Sequence, residues 1–427
     1  MKLPPAPMTR PRRLAALALG AAAAAHAQQP PTPDTPTLRT TTFPTPYSIG
    51  VSQTFTRETN LVRAPDGTPA VGDFVSSTAL LGSVDRYLGR QRVWFDGSVQ
   101  RNSFRDNSVY DHTGRNLKGG LDWSTAGRVS GSLTASSSAQ LAPFAQLLGA
   151  YTAERNIVSN DQLGAVARVG TVTPLTLEGS WSRQRLDYSA ESYKTARLRQ
   201  DAAGFNLLWR NSEILTFGAG VRLTHGRYPQ GAFGDDPFNG RSVDFSVNWA
   251  PTSSLSSFNG HVGYTRLRHE DASRRDFSGV TGDVQWIWQA TGKTRLATQL
   301  TRATGEDASF ISYVGASPYA SSNISRVTNT LALNAQYSAT GKVTLEGNFR
   351  VIRRALDDGV STAGGATSST GGRDDTRIVA LGARYAASRS LSFGCSVGRD
   401  RRTTTTTLSY AYRASYGGCS AQLLFFP

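Results

Sequence analysis

The sequence predicts an all-β fold, a transmembrane antiparallel up-and-down β-barrel of about 18 strands with short turns at one end and longer loops at the other. Three observations predict it: apolar and polar residues alternate in segments of about ten residues, short polar turns recur along the chain, and an export signal precedes the first segment. In the stretch 343–351, Val343, Leu345, Phe349 and Val351 alternate with polar residues. Successive side chains of a strand point to opposite faces, so such a segment has one apolar and one polar face.

The N-terminus has the organisation of a secretory signal peptide. Basic residues up to Arg13 precede a short apolar stretch, and Ala25-His26-Ala27 has the small-x-small pattern of a cleavage site. The apolar stretch is too short to cross a bilayer as a helix. We therefore expect a signal peptide at residues 1–27, a Pro-rich periplasmic leader at 28–46 and the barrel at 47–427.

The turns divide the chain into units of roughly 40 residues, which fits two strands and one longer loop per unit. Thr176-Leu-Glu-Gly179 and Thr344-Leu-Glu-Gly347 follow two of these turns in matching positions. Longer segments rich in Gly, Asp, Asn and Ser are predicted loops on the opposite end, at 227–240, 306–323 and 356–374. The short polar turns lie at 124–128, 173–174, 210–212, 251–254, 290–293, 339–342 and 387–389.

Aromatic residues separate a membrane barrel from a soluble β-sandwich, which could use the same alternation. Five tryptophans precede predicted short turns and form a predicted girdle at the membrane interface, where Trp is favoured: Trp123, Trp209, Trp249, Trp286 and Trp288. The last strand ends in Phe425-Phe426-Pro427, and a terminal aromatic resembles the signal read by the barrel assembly machinery. Either phenylalanine could be the one recognised.

Polar residues on alternating positions should face the lumen, because a charged side chain facing lipid at mid-bilayer costs about 2–4 kcal/mol for Arg. This wall could pass or bind a polar polymer, or it could be a network of internal hydrogen bonds with no transport role. The predicted lumen-facing residues are Asp244, Asn248, Asn259, His261, Asp283, Gln285, Arg295, Gln299, Asn334, Gln336, Glu346, Asn348, Arg350 and Arg384.

The net charge is strongly positive. Removal of the signal, with its four basic and no acidic residues, lowers the formal charge from +15 to +11, and only five of the 46 basic residues are lysine. Arginine suits bidentate binding of phosphate or carboxylate, although a compositional bias with solvated loop arginines would give the same count. Nucleic acid is not an expected partner of an exported chain without a clustered basic helix.

No catalytic, metal or cofactor site is predicted. His112 lies beside Asp111, and His269 lies beside Glu270 and Asp271. Adjacent residues of a strand point to opposite faces, so neither doublet is a catalytic pair by itself. The two cysteines, Cys395 and Cys419, lie in the last two strands on one face, and in an oxidising compartment we predict a cross-strand disulfide. The alternative is two free thiols facing lipid.

Several segments of the chain carry a resemblance to a known family: 48–54, 90–92, 275–282, 288–296, 372–375 and 420–423. The Arg275-Asp-Phe-Ser-Gly279 segment is the most specific of them. On these residues the chain resembles the EpsL-type outer-membrane β-barrel proteins of exopolysaccharide biosynthesis clusters, often exosortase-associated, in Gram-negative bacteria. The resemblance implies a non-enzymatic role in exopolysaccharide biosynthesis or export, as conduit or accessory factor, and no catalytic residues.

Two other functions remain open on the sequence. One is a general diffusion porin or nutrient-uptake channel, for which residues 359–372 are a candidate inward constriction; the other is a structural barrel with a closed lumen. The expected location is the outer membrane of a Gram-negative bacterium. Expected partners are outer-membrane lipid and lipopolysaccharide, the barrel assembly machinery, and possible contacts with extracellular polysaccharide and periplasmic export components.

Overall fold

The computed structural model describes residues 46–142, 144, 153–231, 234–251, 255–270, 276–304, 324–361 and 367–426. The predicted signal peptide and all of the Pro-rich leader except Pro46 lie outside these residues. The strands are β1 Tyr47–Glu58, β2 Asp73–Leu88, β3 Gln91–Phe104, β4 His112–Ser124, β5 Val129–Leu141, β6 Ile157–Val169, β7 Leu175–Tyr188, β8 Leu198–Ser212, β9 Leu215–Gly231, β10 Gly234–Trp249, β11 Ser256–His269, β12 Phe277–Gln289, β13 Thr294–Thr304, β14 Ile324–Ser338, β15 Val343–Ser361, β16 Thr367–Ala386, β17 Leu391–Thr404 and β18 Tyr412–Phe425. Two short 3₁₀ helices, Ser108–Tyr110 and Glu191–Ala196, lie between strands.

The eighteen strands form one closed antiparallel sheet. Each strand pairs with its neighbours in sequence, and β1 pairs with β18 from Ile49↔Phe425 to Glu58↔Tyr416, which closes the sheet into a barrel. The predicted fold class and strand number are therefore confirmed. Among the described residues, no helix is both long and apolar enough to cross a membrane.

The two ends of the barrel differ in their connections. Eight connections of two to six residues lie at one end, which we call the turn end, together with the start of β1 and the end of β18. The other end, the loop end, carries connections such as residues 59–72 and 189–197. In membrane barrels the short turns are periplasmic and the long loops are at the cell surface.

The loop prediction is wrong for two segments, which are mostly β-strand. The segment 227–240 is mostly paired, since Tyr228 is opposite Asp236 and Arg227 is opposite Pro237. The segment 356–374 is likewise strand, because Asp357 pairs with Gly371 and Ser361 with Thr367. Residues 359–361 and 367–372 thus lengthen the β15–β16 hairpin instead of folding inward. Gly and Asp have low β-propensity, so these segments looked like loops. Here pairing with the neighbouring strand outweighs that propensity. The third predicted loop, 306–323, lies outside the described residues.

The alternation of side chains gives the wall two faces. On the outer face Phe245 is 63% exposed, and the neighbouring Asp244 on the inner face is 8% exposed. Buried residues of β6 to β11, including Val158, Leu186 and Phe238, meet in one cluster. Residues from so many adjacent strands can meet only on the concave side, so this face is the lumen and the cluster lies inside the barrel near the loop end.

The predicted girdle residues share one location. The register places all five tryptophans on the outer face, within the last four residues of their strands at the turn end. Trp286 and Trp288 stack with ring centroids 5.6 Å apart, and Trp209 stacks on Phe217 at 5.8 Å. Outside this set, Trp94 faces the lumen, because it is opposite Asp85 and Gly120.

The last hairpin contains both cysteines and the terminal aromatics. Cys395 and Cys419 are directly opposite each other on the outer face and form a disulfide with Cα atoms 4.0 Å apart. Phe425 is 53% exposed on the outer face, whereas Phe426 packs against Leu81 and Leu424. Phe425 is therefore the outward-facing aromatic residue at the end of the last strand. Pro427 lies outside the described residues.

Candidate functional site: the barrel lumen

The inner face brings the predicted lumen residues together in continuous rows. Directly opposite residues on paired strands share a face. By this rule all fourteen residues, from β10 to β16, lie on the inner face. Their role in permeation stays a prediction.

One row consists of side-chain amides. Asn248 is opposite Asn259, Asn259 is opposite Gln285, and Gln285 is opposite Gln299, so four consecutive strands each present an amide at the same rung. A second amide pair, Asn334 opposite Asn348, follows on β14 and β15. Each amide offers donors and an acceptor, so the row can exchange hydrogen bonds with a polar solute along the wall.

A histidine lies between two carboxylates at the middle of the wall. The Nε2 atom of His261 lies 3.1 Å from Oδ1 of Asp244, and its Nδ1 atom lies 3.5 Å from Oδ1 of Asp283. Ser242 donates a hydrogen bond of 2.9 Å to Asp244, and Arg222 lies 4.0 Å from the same carboxylate. With both ring nitrogens against acids, this group cross-links β10, β11 and β12 in the wall.

Arginine and acid also pair near the turn end. Arg92 lies 2.7 Å from Asp85 and 3.5 Å from Asp122, joining β2, β3 and β4. Beside this group, the Lys118 ammonium lies 5.7 Å from the centroid of the Trp94 ring. The lumen wall is therefore charged at this level, and its charges have partners of opposite sign.

The β1–β2 connection, residues 59–72, folds into the lumen at the loop end. Leu61, Val62 and Ala64 are buried, and Val62 and Ala64 are each only 2% exposed. Between them, Arg63 has a φ of 53°, a left-handed backbone that a non-glycine residue adopts only when its surroundings hold it. We call residues 60–64 the inward segment.

Arg63 anchors the inward segment to the wall. Its Nη1 donates to Oε2 of Glu58 over 2.7 Å, and its Nε donates to Oδ2 of Asp400 over 2.9 Å. The guanidinium also donates to the carbonyl of Asn60 at 2.6 Å, and the amide nitrogen of Ala64 donates to the side chain of Asn60 at 2.8 Å. Burial lowers the pKa of Arg63, but the carboxylates of Glu58 and Asp400 outweigh burial and raise the pKa above its ordinary value.

A second buried ion pair lies next to this anchor. Arg354 binds Asp374 through two hydrogen bonds, one of them 2.7 Å from Nε to Oδ1. Arg402 donates to Thr376 over 3.2 Å and lies over the Tyr412 ring at 4.9 Å from its centroid. These strands, β15 to β18, therefore carry buried polar side chains on the loop-end side of Asp400.

Apolar residues narrow the rest of the mouth. Leu61 and Val62 pack with Phe104, Tyr110 and Phe144, and the Tyr110 and Phe144 rings meet edge to face at 4.9 Å. The sequence analysis did not predict this apolar cluster. The signal was the apolar pair Leu61 and Val62 early in the predicted loop.

The two histidine rings contact residues other than the acids beside them in sequence. His112 is buried, with Nε2 2.9 Å from Asn102 and Nδ1 2.8 Å from the carbonyl of Tyr110, while Asp111 accepts from the amide of Phe104. His269 lies 3.3 Å from Asp236. Each ring serves a structural contact at the loop end.

No protein-family model matches this chain, and neither does any curated protein. Among solved structures, the outer membrane protein OpdK from Pseudomonas aeruginosa matches with a TM-score of 0.47 and 14% identity, covering 89% of this chain and 98% of that one. The FrpB iron transporter from Neisseria meningitidis matches with a TM-score of 0.45 and 10% identity over 84% of this chain and 62% of that one. The siderophore receptor PirA from Acinetobacter baumannii matches with a TM-score of 0.39 and 9% identity over 88% and 80%. At such identities the likeness concerns barrel architecture alone.

Proposed function

We propose that this protein is a non-enzymatic outer-membrane channel for small polar solutes, with saccharides as the favoured class. The observation that carries the proposal is a closed barrel of eighteen strands whose inner face is polar in continuous rows and whose outer face exposes large apolar side chains. Barrels of 16–18 strands are wide enough to leave an aqueous channel. The amide row of Asn248, Asn259, Gln285 and Gln299 supports saccharides, since amides match hydroxyl groups as donor and acceptor.

The lumen charges predict weak ion selectivity. The inner face and the inward segment combine acidic and basic groups in similar numbers, and many of them form ion pairs. Basic residues are Arg63, Arg92, Lys118, Arg168, Arg210, Arg222, Arg295, Arg350, Arg354, Arg384 and Arg402; acidic residues are Glu58, Asp73, Asp85, Asp96, Asp122, Glu178, Asp236, Asp244, Asp283, Glu346, Asp374 and Asp400. A wall with such a balance favours neither ion sign strongly.

Planar-bilayer recording tests this proposal. The folded protein should give discrete conductance steps with a small reversal potential across a salt gradient, and liposomes that contain it should swell in monosaccharide and disaccharide solutions. Heat-denatured protein is the matched control. A folded, inserted barrel without conductance and without swelling would contradict the proposal and favour a structural barrel with a closed lumen.

Export of exopolysaccharide is the second candidate function, and the family resemblance and the amide row favour it. A polymer that moves along a wall needs many weak contacts, so that it can leave each one. A clean deletion strain should then lose extracellular polysaccharide and regain it on complementation, and a conduit role would add accumulation in the periplasm. Unchanged polysaccharide would remove the export role and leave the small-solute channel and the structural barrel.

A further inference from the structure

A groove of about 470 Å³ lies on the outer face of the barrel across β11 to β15. Its lining includes the outer-face residues Val262, Gly282, Leu300 and Val351. Four residues whose side chains lie on the inner face of the same strands, Thr281, Asp283, Thr301 and Thr330, also line it.

The groove exists because Gly282 interrupts the outer face. It lies between Val262 and Arg302 in the strand register, at a position where its neighbours on the same face carry large side chains. Gly282 has a φ of 156°, and a Cβ atom there would lie 2.2 Å from the carbonyl oxygen of His261. No side chain fits, so the backbone itself keeps this gap open.

The floor of the groove is apolar. The next outer row toward the turn end contains Val284, Leu300, Leu331 and Val351, which are directly opposite one another on four strands. Leu300 is 51% exposed. An acyl chain could lie in this gap and bury apolar surface on both sides.

Two arginines form the rim toward the loop end. Arg302, Asn329 and Arg353 lie on one row with Gly282. The Arg302 side chain donates to the carbonyl of Val280 at 3.0 Å and to Asn329 at 2.9 Å, which holds its guanidinium beside the groove. Arg353 lies 3.1 Å from Asp375 and its side chain is 63% exposed. Phosphate is the natural ligand of two neighbouring guanidinium groups.

The rim belongs to a wider arginine belt on the outer face near the loop end. The described residues of this face carry far fewer acids, namely Asp161, Asp187, Asp201, Asp235 and Asp375. At the turn end, Arg86 is the only charged residue on the outer face among the described strand residues. The belt consists of Arg57, Arg101, Arg115, Arg183, Arg185, Arg199, Arg227, Arg241, Arg266, Arg268, Arg302, Arg353, Arg373, Arg377, Arg399, Arg401 and Arg413.

We propose that the groove binds one lipopolysaccharide molecule of the outer leaflet, with a phosphate on Arg302 and Arg353 and an acyl chain on Leu300 and its neighbours. This leaflet meets the barrel at the level of the belt, because the long loops face the cell surface. A phosphorylated, acylated glycolipid matches both the cationic rim and the apolar floor. The site does not depend on whether the barrel conducts.

Native mass spectrometry of the purified protein in detergent, titrated with rough lipopolysaccharide, tests the proposal. The R302Q/R353Q variant should bind at least tenfold more weakly than the wild type. R399Q/R401Q is the matched control, since it removes two belt arginines away from the groove, and it should change the affinity less than threefold. L300W, which fills the floor but keeps both arginines, should also weaken binding, and heat-modifiable gel mobility verifies that each variant is folded.

Three results would overturn the proposal. Equal loss in the two arginine variants would mean that the belt attracts lipid diffusely, without a site at the groove. Equal affinity of the wild type for phosphatidylglycerol and for lipopolysaccharide would assign the groove to a phospholipid. Unchanged affinity in L300W would show that no acyl chain occupies the gap.

Discussion

Replacement of Arg63 by methionine should release the inward segment and widen the opening of the lumen at the loop end. The methionine keeps most of the side-chain length but removes the charge that pairs with Glu58 and Asp400. The side chains of Arg63, Glu58 and Asp400 are only 5%, 7% and 1% exposed, so the two carboxylates would be left buried without their partner.

The free-energy cost of removing the Arg63 charge follows from the burial of these three side chains. Removal of one partner of a buried ion pair costs about 3–5 kcal/mol. Since about 1.4 kcal/mol corresponds to a factor of ten, the equilibrium between docked and released inward segment should shift by a factor of roughly 10² to 4 × 10³. The left-handed backbone at Arg63 adds to the preference for release, because the contacts that held it are gone.

Single-channel recording measures the effect. R63M should show larger conductance steps or frequent transitions to a larger step, and residues 65–71 should become cleavable by protease added from the loop side. R92M is the matched control: Arg92 also bridges two acids in the lumen, but its side chain is 29% exposed and its loss should cost about 0–1 kcal/mol. Addition of E58Q and D400N to R63M should restore part of the docking.

Two outcomes would refute the reasoning. If R63M conducted like the wild type and resisted protease equally, the inward segment would be held by its apolar contacts rather than by the ion pairs. If R92M and R63M changed conductance alike, the effect would reflect lumen charge and not the position of the segment.

Three more predictions concern the wall. The C395A/C419A variant should lose about 2–4 kcal/mol of unfolding free energy, measured by urea unfolding in liposomes, while intact mass of the unreduced wild type should lack two hydrogens; two free thiols would contradict the disulfide. K118E should shift the reversal potential toward cation selectivity because it upsets a balanced lumen, whereas neutralising an outer-face arginine should leave the potential unchanged. W286A/W288A should lower the unfolding free energy by about 1 kcal/mol for the lost ring stacking alone. An unchanged urea midpoint would show that this stacked pair does not stabilise the barrel.

The strands could be predicted because their signal is local. Alternation predicts which residues share a face, and turns such as 290–293 predict where a strand reverses, so the order of the eighteen strands follows from neighbours in sequence. The closing pair, β1 with β18, joins residues from opposite ends of the barrel sequence. The long hairpins β9–β10 and β15–β16 escaped prediction because glycine and aspartate are poor strand residues in isolation. Their pairing depends on partners across the hairpin, for example Asp357 with Gly371.

The inward segment could not be located from sequence for a different reason. Leu61 and Val62 mark a loop that buries apolar side chains, but their partners Tyr110 and Phe144 come from other loops. Arg63 meets Asp400 across more than three hundred residues. Contacts between loops on distant strands depend on the closure of the barrel, and no local pattern encodes them.

The faces of the barrel also explain the net charge. A charge of +15 in the whole chain suggests an anion-selective pore if the basic residues are assumed to line the lumen. The strand register places them otherwise: arginines accumulate on the outer face near the loop end, whereas the lumen balances Arg92 against Asp85 and Arg354 against Asp374. The sign of the permeant solute therefore cannot be read from the net charge, and the excess arginine is available to the phosphates of the surrounding leaflet.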